Sequence, residues 1–215
     1  MAAPFEIRAL LVDAGGTLLR VREPVAATYA RVARAHGPPV ELDAVEAGFQ
    51  RAFSTPWLGL RYAGDGLSYW RHVVATALGV DDNAVLHELY DHFRHPAAWT
   101  VAPGARACLG ACQRAGIRTA LVSNWDLRLR PLIEALELEP LLDVLAISAE
   151  IGSEKPEPAL VHHALAGLGV APGQAVLVGD SSEDVRAAAA AGCACWHMPD
   201  DVAGFAAVQA RILGG

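Results

Sequence analysis

Lysine is nearly missing from this 215-residue chain: a single one, Lys155, stands among 17 lysines and arginines. Those bases are outnumbered by 24 acidic residues, for a formal net charge of −7, and no basic stripe occurs. A phosphate-backbone surface needs clustered Lys and Arg, so a nucleic-acid partner is excluded. Cysteine is also scarce. The four fall as Cys108, Cys112, Cys193 and Cys195, matching neither a paired zinc spacing nor a disulfide framework, and they read as small buried hydrophobes. Long apolar runs are missing too: none reaches the roughly 18 to 20 residues of a membrane span. Residues 1–13 lack the charged segment followed by a separate apolar one that directs secretion. The expectation is a cytoplasmic protein with no membrane partner. No repeat or low-complexity linker interrupts the chain, apart from the alanine run 187–191 inside a helical pattern.

What is present is apolar and regularly spaced. Hydrophobic residues make up 53% of the chain, enough for a packed core. Five short apolar runs, Ile7–Val12, Ile117–Val122, Val144–Ile147, Ala175–Val178 and Cys193–His197, alternate with helical patterns. Such alternation predicts a doubly wound α/β core, with parallel strands joined by right-handed crossovers. Segments 103–116 and 158–169 each open on a proline and close on a glycine, the punctuation of crossover helices.

Between the first and second runs lie roughly a hundred residues, far beyond an ordinary connection. Apolar residues recur there at three- and four-residue steps over Pro24–His36, Leu42–Phe53, Tyr69–Leu78 and Asn83–Phe93, the mark of amphipathic helices. An inserted helical cap over residues 22–96 follows, with residues 1–21 and 97–215 as the core. Prolines at 24 and 96 punctuate the crossings. Within the cap, segment 54–66 is a loop rich in glycine and aromatics, a common place for substrate contacts.

Chemistry concentrates at the ends of the apolar runs. The first ends in Val12-Asp13-Ala14-Gly15-Gly16-Thr17-Leu18, a carboxylate followed by a glycine-rich turn. A side chain there lies in the crevice where open α/β sheets bind ligands. The second run ends in Ser123-Asn124-Trp125-Asp126, and the fourth in Gly179-Asp180-Ser181-Ser182-Glu183-Asp184. Lys155 stands in Gly152-Ser-Glu-Lys-Pro-Glu-Pro158. A chain that otherwise uses only arginine thus keeps its one compact ammonium beside these acidic turns.

These residues resemble the haloacid dehalogenase superfamily, whose phosphatase members open with Asp-x-Asp-Gly-Thr. Together with Arg34–Gly37, His95-Pro96 and Lys155-Pro156, they are most similar to the domain-containing-3 branch of haloacid dehalogenase-like hydrolases, over nearly the whole chain. The resemblance implies that Asp13 is a nucleophile forming an aspartyl-phosphate. It implies that Ser123 bonds the transferring phosphoryl and that Lys155 neutralises nucleophile and phosphate. Mg²⁺ would be held by Asp13, Asp180, Asp184 and the backbone carbonyl of Gly15. Gly16, Thr17, Asn124, Trp125 and Asp126 are expected at the substrate, a small phosphate ester. Trp125-Asp126 could instead serve helix-start packing and capping, or offer a substitute acid. Glu183 reads as a solvated neighbour or a helix N-terminal charge, and His72, His87, His162 and His163 as surface or helix-packing residues.

One departure from the family pattern matters. Its second aspartate, the general acid/base, is Gly15 here. A positioned acid/base contributes about 10²–10⁴-fold to leaving-group protonation and water activation, and glycine does neither. A phosphonate-cleaving relative also lacks this aspartate but uses a cap lysine, which this cap does not have. Dehalogenases lack it too and displace halide without a leaving-group proton, yet work without metal, whereas the 179–184 turn resembles the metal-binding phosphatase form. The expectation is a Mg²⁺-dependent phosphatase-like hydrolase of weakened or narrowed activity. The alternatives are a 2-haloacid dehalogenase-type hydrolase and a catalytically silent member binding a ligand or partner.

Overall fold

The computed structural model describes residues 6–37, 39–198 and 204–214. Residues 1–5, 199–203 and 215 of the expected core lie outside them, and with residues 1–5 part of the opening segment 1–13; so does residue 38 of the expected cap. At the centre is a five-stranded sheet. In chain order its strands are β1 (Ala9–Val12), β4 (Arg118–Ser123), β5 (Val144–Ile147), β6 (Ala175–Gly179) and β7 (Ala194–His197). Their spatial order is β5-β4-β1-β6-β7, and every pairing is parallel. All five apolar runs therefore enter one sheet.

Both faces of the sheet are covered, which explains why the runs are continuous rather than alternating. Leu10, Val12, Leu121, Val176 and Val178 pack toward one cluster, with Leu109 and Cys112 of α5 (Ala105–Arg114) and Leu132 and Ile133 of α6 (Leu129–Ala135). Ala9, Leu11, Val122 and Leu177 pack toward the other, against Leu160, Val161 and Ala164 of α8 (Ala159–Leu168) and Ala187 and Ala188 of α9 (Ser182–Ala191). Each fully buried Leu or Val contributes about 1.5–3 kcal/mol. The last run, β7, is an edge strand and mostly half-buried, because among the described residues no further strand meets its outer side.

The long interval after β1 first forms a short strand, β2 (Leu19–Val21), and ends in another, β3 (Trp99–Val101), paired antiparallel. Between them run α1 (Val25–His36), α2 (Leu42–Ser54), α3 (Leu67–Leu78) and α4 (Asn83–His92). Tyr29, Val32, Val45, Val74, Leu86 and Leu89 give this helical layer a core of its own. The β2–β3 pair, which periodicity did not reveal in three-residue strands, brings entry and exit of the insertion side by side. Arg22 reinforces it, its backbone N–H donating to the Ala98 carbonyl (2.8 Å) and its Nε to Ala97 (3.0 Å). Among the described residues no helix is long and apolar enough to cross a membrane, and the four cysteines are free thiols.

Candidate active site

Register brings the acidic turns together. Val12 pairs with Leu121 on one side and Val178 on the other, so Asp13, Ser123 and Asp180 leave three adjacent strands at one edge. Asp13 is 6% exposed, and its N–H extends the ladder to the Val178 carbonyl (2.9 Å). Lys155 arrives from the loop after α7 (Ser148–Ile151) and is 3% exposed. Its Nζ donates to Oδ1 of Asp13 (2.6 Å), Oδ1 of Asp184 (2.5 Å) and the Val122 carbonyl (3.0 Å). Three donors meet three acceptors, so the buried ammonium is satisfied.

Burial is the largest influence on Asp13. Opposed by the Lys155 ammonium and reinforced by Asp184 and Asp180, it pushes the carboxyl up to about 6. Burial alone would depress the lysine, but Asp13 and Asp184 outweigh it and hold the ammonium above its ordinary value. Removing the ammonium would strand Asp13 and Asp184 away from water without a countercharge, typically at 3–5 kcal/mol.

Asp13, Asp180 and Asp184 each offer an oxygen within 4.8 Å of the others. Two glycines make room for this convergence. A β-carbon at Gly16, whose φ is +82°, would stand 2.1 Å from Oδ2 of Asp180, and one at Gly179 would stand 2.3 Å from Cγ of Asp184. No other residue fits there without displacing a carboxylate. Asp184 is fully buried at the start of α9, in a capping box with Ser181 that also occupies its Oδ2: Ser181 N and Oγ donate to it at 3.0 and 2.6 Å. Oδ2 of Asp13 and Oδ2 of Asp180 accept no hydrogen bond from the described residues, and both side chains border the cavity above the sheet edge. The free oxygens thus belong to Asp13 and Asp180, while Asp184 closes the set from behind.

The residues expected at the substrate divide. Ser123 borders the cavity with a hydroxyl that has no partner among the described residues, as an anion donor requires. Gly16 and Trp125 also border it. Trp125 lies over Gly15, its Cζ3 3.4 Å from where a β-carbon would stand, and its ring packs against Trp99 at 5.1 Å between centroids. Thr17 requires correction: it is 1% exposed, and its hydroxyl donates to Oδ1 of Asp180 (2.9 Å), so it orients a carboxylate. Asn124 lines the cavity, yet both ends of its amide are engaged. Its Oδ1 accepts from Lys155 N (2.7 Å), and its Nδ2 donates to the Lys155 carbonyl (2.9 Å) and to Glu183 (2.9 Å). It clamps the lysine loop.

Asp126 takes the packing and capping alternative rather than a place at the substrate: its Oδ1 accepts from Arg128 N (3.0 Å) just ahead of α6. Fully buried and outside the cavity lining, it takes Nε and Nη2 of Arg128 at 2.8 and 2.7 Å and Trp70 Nε1 at 2.9 Å. With both oxygens spent it neither touches substrate nor replaces an acid; it ties α3 to the core. Glu183 stands in the first turn of α9, as a helix N-terminal charge does, but it is paired rather than freely solvated. Arg61, from loop 54–66, pairs with Glu183 (3.0 Å) and with Glu154 (2.9 Å), bridging the neighbours in sequence of Asp184 and Lys155. No sequence signal marked these pairs, because their members lie about a hundred residues apart. His72, read as a surface or packing residue, has a buried Nε2 with no hydrogen-bond partner among the described residues.

A family model described as haloacid dehalogenase-like hydrolase matches residues 7–192. The chain is 35% identical over 205 residues to haloacid dehalogenase-like hydrolase domain-containing protein 3 of Bos taurus, covering 89% of this chain and 82% of that one. It is 38% identical over 140 residues to a phosphoglycolate phosphatase of Rhodospirillum rubrum, covering 60% and 58%. In fold it is similar to L-2-haloacid dehalogenase from Xanthobacter autotrophicus, with a TM-score of 0.69 at 23% identity over 89% of this chain and 77% of that one.

Proposed function

The chain belongs to the haloacid dehalogenase-like hydrolases, and on that footing we propose that it is a Mg²⁺-dependent phosphatase of small phosphate monoesters, with residues 1–21 and 97–215 as catalytic core and 22–96 as cap. The observation that carries this reading is the convergence of Asp13, Asp180 and Asp184 around one buried ammonium. Three carboxylates against one lysine leave an excess of negative charge where an anionic substrate must bind. A hard dication suits that oxygen donor set. Asp13 and Asp180, whose free oxygens face the cavity, and the Gly15 carbonyl would hold it, with Asp184 adding its charge from behind; bound there it would supply charge neutralisation for a phosphoryl group. A metal-free dehalogenase would have to bring a substrate carboxylate against the same uncompensated charge. The phosphatase named among the relatives supports the same choice.

The protein's own groups then divide the work. Asp13 attacks phosphorus and the bond to the leaving oxygen breaks, leaving an aspartyl-phosphate. The Ser123 hydroxyl donates to a phosphoryl oxygen, and Lys155, held by Asn124, balances charge on nucleophile and phosphoryl. Water then attacks phosphorus, releasing phosphate and restoring Asp13. Gly15 contributes a proton to neither step.

That same gap favours the dehalogenase alternative, because halide departs unprotonated. One experiment separates them: inorganic phosphate released from a panel of esters, and chloride released from 2-chloropropionate, each with and without Mg²⁺. Phosphate release that needs Mg²⁺ is expected. Chloride release indifferent to metal would replace this reading, and neither product would mark a silent binding protein.

A further inference from the structure

Above the charged edge the cavity changes character. It encloses about 830 Å³ and extends from Asp13 into the helical layer as far as Val74 and Leu86. Nine of its lining residues are aromatic, in a chain only 7% aromatic. Tyr29, Tyr62, Trp70, Phe93, Trp99 and Trp125 are among them. A two-carbon ester would leave most of this space unfilled, whereas cavities of roughly 300–1,000 Å³ enclose ligands of drug-like size.

Charge inside the apolar part is already spoken for. Arg61 is neutralised by Glu154 and Glu183, and Arg128 by Asp126, with its guanidinium stacked 3.7 Å over the Tyr90 ring. The third arginine of the lining, Arg20, is exposed. No guanidinium in the interior is therefore free to receive a charged tail. Two polar handles remain: Tyr29 and Tyr62 are 2% and 8% exposed, border the cavity, and have hydroxyls without a hydrogen-bond partner among the described residues. Such hydroxyls suit one or two neutral polar substituents on an otherwise apolar group.

Gly15 bears on the same question. With no acid beside the leaving oxygen, the alcohol must depart as its anion. A phenol ionises near pH 10, whereas an alkoxide is about as basic as hydroxide. Apolar space of this size and a missing acid select the same kind of ester.

We propose that the substrate is a phosphate monoester of a bulky, uncharged aromatic alcohol, its rings seated among the cap aromatics; the assignment rests on the phosphatase reading above. In the step itself a carboxylate oxygen of Asp13 bonds to phosphorus, and the phosphorus–aryl oxygen bond breaks. The electron pair leaves on the aryloxide, which takes its proton from water. Hydrolysis of the aspartyl-phosphate follows, the attacking water losing its proton to solvent.

The test compares 2-naphthyl phosphate, phenyl phosphate, 2-cyclohexylethyl phosphate and phosphoglycolate as substrates of the full-length protein with Mg²⁺. The 2-naphthyl ester should exceed the alkyl ester of similar bulk by about 10²-fold or more in kcat/KM, the worth of a general acid. It should show a KM about tenfold below that of the phenyl ester, the worth of roughly two buried methylene-sized groups. Val74→Phe, which fills the far end, should raise KM for the 2-naphthyl ester more than for the phenyl ester. Separately, 2-naphthol should shift tryptophan emission, since Trp70, Trp99 and Trp125 line the cavity. Phosphoglycolate turned over as well as the 2-naphthyl ester would overturn the assignment and leave the phosphatase reading standing. If no ester yields phosphate, the phosphatase reading falls, and the aromatic site stands or falls on the 2-naphthol titration.

Discussion

Position 15 shows how one missing side chain shapes a site. Glycine is often retained because the backbone demands it, and at Gly16 and Gly179 a carboxylate occupies the space a side chain would need. Gly15 is different. Its φ lies outside the left-handed region, and a β-carbon there would meet only Trp125 Cζ3 at 3.4 Å, an ordinary contact. The backbone thus accepts an aspartate. Gly15→Asp would set a fourth carboxylate beside Asp13, Asp180 and Asp184 and against an indole, surroundings that favour its protonated form. Turnover of alkyl phosphates should rise by about tenfold or more, equivalent to ~1.4 kcal/mol of barrier. Aryl esters should gain less, because their leaving group needs no proton. Steady-state kinetics on both classes, with a melting curve to verify folding, decide this. A folded variant with no gain on either would move weight to the dehalogenase or the silent member.

Elements were legible where their cause is local. The five strands follow from continuous apolar runs, and the four inserted helices from their three- and four-residue steps, with ends shifted by at most two residues: Tyr69 against Leu67 at the start of α3, Phe93 against His92 at the end of α4. Among site residues, Asp13, Ser123 and Asp180 end strands and match the motifs of the family the chain resembles, and Lys155 matches that family's lysine-proline loop, a match strengthened because the chain has no other lysine. What stayed hidden depends on partners distant in sequence. The β2–β3 pair lacks enough residues for a period. Asn124 has the composition of a substrate donor but is consumed by Lys155 and Glu183, and Asp126 by Arg128 and Trp70.

Arg61 belongs to this hidden class and gives a prediction at the same scale. Its loop reaches from the helical layer to Glu154 and Glu183, with all three side chains less than one-third exposed. Arg61→Ala should release that clasp at about 1–3 kcal/mol, as expected for partly buried charge-assisted bonds. It should also speed amide exchange across residues 54–66 without loosening β1 or β6. Equal protection in the variant and the parent would show that the clasp does not hold the layer closed.

For the whole molecule, the charge balance at the sheet edge ties catalysis to stability. Folding gathers Asp13, Asp180 and Asp184 beside one lysine, a cluster the unfolded chain does not possess. A cation that binds it therefore stabilises only the folded state, by about 2.7 kcal/mol at a hundredfold excess over its Kd. For a domain of 150–250 residues each kcal/mol raises Tm by roughly 2–4 °C, so saturating Mg²⁺ should raise it by about 5–10 °C. Asp180→Asn is the informative variant. It keeps the shape of the side chain and an oxygen for the Thr17 hydroxyl, but removes a charge that neither Lys155 nor a capping box neutralises. In the absence of metal, loss of one repelling carboxylate should leave the variant at least as stable as the parent, and its response to Mg²⁺ should largely vanish. Differential scanning calorimetry across a Mg²⁺ series, with Na⁺ at matched ionic strength, separates this from general screening. A parent protein whose Tm ignores Mg²⁺ would remove the metal from the site, leaving three carboxylates and one lysine with no means of accepting a phosphate dianion.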